Sequence, residues 1–329
     1  MSTSGPTKDP SAGASVSATM YGGQAVIEGV MMRGPRDFAV AARRADGTVA
    51  ITCEEVPKSL RPAWQKLPFF RGSYALVDSM ALGTKALFWA AKVAEAGTTD
   101  RKETSASPSA SKATDMAIGG AMVTGLLMAI GLFKVLPQLL IEPVRNATHW
   151  APWQLGLVDV IVRLCIFTGY ISLVARMNHV NRVFMYHGAE HKAINALEHG
   201  KDLTVENVQA ESRLHPRCGT SFVVLVIVLS VLAVSPFYGL PIWYRIPIQL
   251  LMLMPVAGVG FELLRLAGKF RDNPIAAAVS RPGMWTQLLT TREPDDSMVE
   301  VAIASLKAVM DAEANRQATA TTPDLKTAN

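Results

Sequence analysis

Residues 221–240 read SFVVLVIVLSVLAVSPFYGL and contain no Asp, Glu, Lys, Arg or His. A helix needs about 20 apolar residues to cross the hydrocarbon core of a bilayer. A helix of that length with no charge at all reads as a membrane span, not as the buried helix of a large soluble protein. Three more stretches have comparable length. Residues 116–141 are broken by Lys134 and Pro137. Residues 155–177 contain Asp159 and Arg163. Residues 246–267 contain Pro255, with Glu262 and Arg265 near the end. The expected fold is therefore mainly α: a four-helix transmembrane bundle spanning residues 116–267.

Lys and Arg in the flanks set the orientation. Residues 142–154 carry only Arg145, and 241–245 carry only Arg245. Residues 176–220 carry Arg176, Arg182, Lys192, Lys201, Arg213 and Arg217, and the last span is followed by Lys269, Arg271 and Arg281. Both termini and the loop 178–220 are thus expected on the cytoplasmic side of the membrane. The first twenty residues are rich in Ser, Gly, Ala and Thr and have no apolar core, so no cleaved leader is expected.

Composition excludes several classes. Half of the 329 residues are hydrophobic and 18% are charged, below the ~25% of soluble domains. That is too apolar for a disordered chain. The 32 Lys and Arg against 27 Asp and Glu are scattered, so no nucleic-acid partner is expected. No Walker A or GxGxxG string occurs, so no nucleotide is expected. Cys53, Cys165 and Cys218 lie far apart and form neither a disulfide framework nor a CxxC module.

The soluble parts divide by pattern. Residues 1–20 and 315–329 read as disordered polar tails, and 97–115 as a Ser/Thr/Lys-rich linker. Within 21–96, the Asp46-Gly47 pair between two apolar runs signals a hairpin in a small cytoplasmic β-meander. The mixed pattern of 69–96 suits a helix lying on the membrane surface. In the cytoplasmic segment 268–314, Asp295 or Asp296 should cap a helix reaching about Glu313, with Val299, Ile303, Leu306 and Met310 as its apolar stripe.

The chemistry concentrates in Tyr186-His187-Gly188-Ala189-Glu190-His191-Lys192, an H-x-x-E-H string. On a helix, His187 and His191 share one face about 6 Å apart along the axis, a spacing at which two imidazoles grip one divalent metal. Glu190 is placed to act as general base on a water. Further ligands must return from elsewhere, and His215 and Cys218, just before the third span, are the first candidates. His and Cys donors suit zinc. Glu211 and Glu262 rank second, and Glu262 must find a partner near the inner end of its span. Glu28 and Arg33 are either substrate contacts or a loop-stabilising pair. Asp159 and Arg163, four residues apart, are expected to pair inside the bundle. The alternative for the two His is a solvent-facing pair on a juxtamembrane helix.

Several strings resemble one family. GGQAVIEGVMMRGP at 22–35, YHGAEHK at 186–192, RLHPRCGTSF at 213–222 and LTTREPDD at 289–296 are similar to the hallmarks of the YqhQ-like family of bacterial multi-pass membrane proteins. The resemblance covers roughly residues 21–314. It implies a membrane protein with a metal-dependent site carried by His187, Glu190, His191, His215 and Cys218, with Glu28 and Arg33 as accessories. It supplies no substrate. The leading expectation is a metal-dependent hydrolase acting on a lipid or membrane-protein substrate. The alternatives are a scaffold or assembly factor with a structural metal, in which four protein ligands close the shell, and a transporter.

Overall fold

The computed structural model describes residues 21–57, 67, 69–96, 120, 123–269 and 273–321. The expected tail 1–20, the linker 97–115, the first residues of the first span and the end of the chain lie outside them.

Four antiparallel strands form a meander in sequence order: β1 (Gly22–Val26), β2 (Gly29–Arg33), β3 (Asp37–Arg43) and β4 (Val49–Glu55). The Asp46-Gly47 turn joins β3 to β4, and Gly47 adopts φ +86°, which only glycine takes without strain. Asp46 accepts the Thr48 N–H at 2.8 Å and closes the turn.

The central strands β2 and β3 are buried on both faces. Side chains alternate along a strand. On β3, Phe38, Val40 and Ala42 face one way, against Leu82, Ala86 and Ala90 of helix α1 (Phe70–Ala96). Ala39 and Ala41 face the other way, against α4 (Asn178–Glu198) and α10 (Asp296–Thr321). This explains why 38–42 is apolar without interruption: neither face meets water. Helix α1 packs between the sheet and α8 (Leu253–Lys269). It crosses α8 where Gly72 meets Gly258, and a Cβ on Gly258 would lie 2.5 Å from the Phe69 carbonyl oxygen.

Three described helices are long and apolar enough to cross a membrane: α2 (Val123–Ala147), α3 (Pro152–Val174) and Gly219–Phe237, which is α6 (Gly219–Val234) with a short 3-10 extension. A fourth candidate is the pair α7 (Ile242–Leu251) and α8. The pair is bent by 49°, so the expected fourth span is two helices, either a broken span or a re-entrant loop. Pro247 and Pro255 flank the break, and each removes a helical hydrogen bond.

The remaining helices are α5 (Val205–Gln209) and α9 (Pro274–Thr290). The sequence pattern did not reveal α9, whose Pro282 and Gly283 resemble a break. Gly283 instead lets α9 press onto α6: a Cβ there would lie 2.4 Å from the Ser221 Cβ. The last helix starts as expected. Asp295 accepts the Met298 N–H at 3.0 Å, as an N-cap does. Val299, Ile303 and Leu306 are buried with Met310 packed beside them. The helix runs on to Thr321, so residues 315–321 are helical where a tail was expected.

Candidate metal centre

The H-x-x-E-H string lies in the middle of α4, with His191 and Glu190 buried and His187 half-buried. Cys218 is the N-cap of α6, and its sulfur is bracketed by the Thr220 hydroxyl at 3.2 Å. Ligand atoms of His187, His191 and Cys218 all lie within 4.8 Å of one another. The His187 Nε2 is 3.3 Å from the Cys218 Sγ, and the two imidazole centroids are 4.4 Å apart. Two residues from α4 and one from the start of α6 thus meet, although Cys218 lies 27 positions after His191 in the chain.

The outer nitrogens fix the rings. His187 Nδ1 is 2.9 Å from the Thr290 carbonyl oxygen, and His191 Nδ1 is 2.6 Å from that of Arg213. A carbonyl only accepts, so each Nδ1 carries the proton. Each Nε2 lone pair is then free to bind, as in metal-ligating histidines. The segments carrying those carbonyls are themselves held. The Arg292 N–H donates to the Phe184 carbonyl at 2.8 Å, which pins the chain after α9 across α4. Lys192 donates to the carbonyls of Gln209 and Glu211, and Asn195 to those of Ser212 and Leu214, which clamps residues 209–214 along α4. The fully buried Gln287 ties the His215 main chain to Ser221 of α6.

His215 does not join the three. Its Nδ1 accepts the Arg217 N–H at 3.3 Å, and its Nε2 faces the Glu198 carboxylate at 3.1 Å. Neither nitrogen has a lone pair left for a metal, because Glu198 reaches back from the end of α4.

Glu190 projects toward β1. A Cβ on Gly23 would lie 2.7 Å from its Cγ, and the Gly23 N–H donates to the carboxylate. Burial pushes the Glu190 carboxyl up to about 7, partly opposed by His187. A group poised there exchanges a proton at neutral pH.

The second-rank residues find other partners. Glu28 pairs with Arg182 of α4, at 2.6 Å from the Arg182 Nε, and Arg33 with the buried Asp78 of α1, so the two do not pair with each other. Glu211 binds Lys201 at 2.7 Å and His199 at 2.9 Å, and these contacts, Lys201 foremost, hold its carboxyl below the usual range. Glu262 finds the partner its position demanded in Arg71. All four tie elements together away from the His/Cys cluster.

Sequence reasoning did not identify the main-chain carbonyls of Thr290 and Arg213, or the two glycines that allow close approach. Gly23 makes room for Glu190. Gly188 passes beneath Arg292, where a Cβ would lie 2.0 Å from the carbonyl oxygen. The small residues inside and before the motifs were the signal.

Fold and site together define a mainly helical protein, apolar enough to cross a membrane three or four times, with a His₂Cys cluster able to hold a metal ion. The chain belongs to the family described as "Protein of unknown function (DUF1385)", whose model matches residues 67–312. It is similar to the "Uncharacterized protein YqhQ" of Bacillus subtilis (strain 168), with 36% identity over 302 residues, covering 89% of this chain and 93% of that protein. No solved structure matches.

Proposed function

We propose that the protein is a divalent-metal-dependent hydrolase of the bacterial plasma membrane, with both termini and the metal centre on the cytoplasmic side. His187, His191 and Cys218 would hold the ion, and zinc suits this donor set. The substrate would be a lipid or a membrane protein. The observation that carries this reading is the pair of Nδ1–H···O=C bonds: both imidazoles are turned so that their free lone pairs meet the thiol.

With only His187, His191 and Cys218 as protein ligands, the ion would have room for a water or substrate, as catalytic zinc sites do. A bound ion there supplies Lewis-acid activation of a water and of the scissile group. Glu190 holds the proton that the attacking water gives up and returns it to the leaving group. The Gly23 N–H and the α4 backbone keep that carboxyl in place.

A scaffold with a structural metal needs a fourth protein ligand. The best candidate, His215, is committed to Glu198 and Arg217. A transporter needs Asp159, Arg163 and Glu262 along a path, but each is bonded to a neighbour. The test is Glu190→Gln. With ester, amide and phosphoester reporters presented in mixed micelles, wild-type protein should turn over one class. The variant should lose at least 100-fold of that rate while retaining its metal. Undiminished turnover in Glu190→Gln would remove the hydrolase assignment.

A further inference from the structure

A second polar cluster lies at the other end of the bundle. Cys218 starts α6 and Tyr238 follows its 3-10 extension. Those 20 positions, at 1.5 Å each, span about 30 Å, the thickness of the hydrocarbon core. At that far end, Asp159 and Arg163 of α3 pair at 2.9 Å, and both are buried. Asp159 also accepts from the Tyr238 hydroxyl and from Gln138 of α2. Arg163 donates to Gln249 of α7 and to the Phe133 carbonyl of α2. Pro137, four residues after Phe133, has no N–H to give that carbonyl, and a π-helical turn at Gly131–Val135 opens the helix there. The sequence thus shapes α2 to receive Arg163.

The cluster continues through Arg245 of α7. Its guanidinium is fully buried, lies 5.6 Å from the Tyr238 ring centroid, and shares the Glu142 carboxylate with Arg145. Two features remain unsatisfied. The Arg245 Nε and Nη1, the Arg145 Nε and the Gln249 Nε2 are buried donors with no hydrogen-bond partner among the described residues. Charge is also unbalanced. Lys134, close enough to feel both Asp159 and Arg163, makes a fourth basic side chain beside Arg145, Arg163 and Arg245, against Asp159 and Glu142 among the described residues. Water can satisfy donors but cannot neutralise two positive charges in a low-dielectric bundle, where charge is costly.

A ligand that met these donors would bring several acceptor oxygens and negative charge. Its depth is marked by four exposed aromatics at this end: Trp150 on the connection before α3, Trp153 in the first turn of α3, and Trp243 and Tyr244 in the first turn of α7. Exposed Trp and Tyr collect at the headgroup level of a bilayer. We propose that the Arg145/Arg245/Gln249 cluster binds a phosphate-bearing anion, namely the headgroup of a lipid in the leaflet opposite the His/Cys centre. This rests on the membrane reading alone and stands whether or not the metal is catalytic.

The test titrates delipidated full-length protein in detergent with short-chain phosphatidylglycerol, with the matched uncharged diacylglycerol and with inorganic phosphate. Dissociation constants are read by native mass spectrometry. Phosphatidylglycerol should bind at least tenfold more tightly than either of the others. Arg245→Gln and Arg145→Gln should each lose at least tenfold of that affinity. Should the buried Arg245 variant fail to fold, the part-exposed Arg145 variant decides. Equal binding of inorganic phosphate would overturn the lipid assignment. Equal affinity in wild type and variants would overturn the site.

Discussion

Gly188→Ala reverses an ordinary expectation and so tests the packing at the centre. In a free helix, Ala is favoured over Gly by about 1 kcal/mol. Here the added Cβ would stand 2.0 Å from the Arg292 carbonyl oxygen. A C···O contact settles at about 3.3 Å, so the segment after α9 must retreat by about 1.3 Å. The obstacle is main chain, held by the 2.8 Å bond from the Arg292 N–H to Phe184, and cannot rotate aside. Breaking that bond costs about 1 kcal/mol, and overpacking typically 1–3 kcal/mol. After the gain in helix propensity, a net loss of about 1–3 kcal/mol remains. The retreat also draws the Thr290 carbonyl away from His187 Nδ1, and losing such an orienting partner weakens metal binding by about 10–100-fold. Thermal unfolding in detergent and competition with a chelator read the two effects. A variant as stable as wild type, with unchanged metal affinity, would refute the reasoning.

Two further outcomes follow from the same contacts. Glu190 in metal-free protein has its carboxyl pushed up to about 7, so between the unfolded value near ~4.3 and about 7 the folded state holds a proton that the unfolded state has lost. Stability should therefore fall as pH rises through that window, by about 4 kcal/mol at most, and Glu190→Gln should flatten the slope in denaturant titrations at pH 5 and pH 8. Leu306→Ala empties a fully buried position between α10 and the sheet, and should cost about 2–5 kcal/mol in the same assay.

Much of the fold can be read from local signals. The uncharged run 221–240 gives an apolar helix long enough to cross a membrane, Asp46-Gly47 gives the hairpin, and Asp295 with Val299, Ile303 and Leu306 gives the last helix and its inward face. What escapes is tertiary. The apolar run 38–42 marks a strand covered on both sides, but not which helices cover it. Pro255 warns of an irregular fourth span without fixing a 49° bend. In the site, i,i+4 spacing brings His187 and His191 together, and the return of the chain to the start of α6 brings in Cys218. The exclusion of His215 turns on a loop conformation and on Glu198, seven residues beyond His191, which no spacing rule links to it. Thr290 and Arg213 act through carbonyls that every residue possesses, so their side chains carry no sign of the role.

Elemental analysis of purified full-length protein, beside a His187→Ala/His191→Ala variant, bears most directly on the proposed centre. About one zinc or other divalent ion per chain in wild type, and none in the variant, is the predicted result. Equal trace metal in both proteins would contradict it.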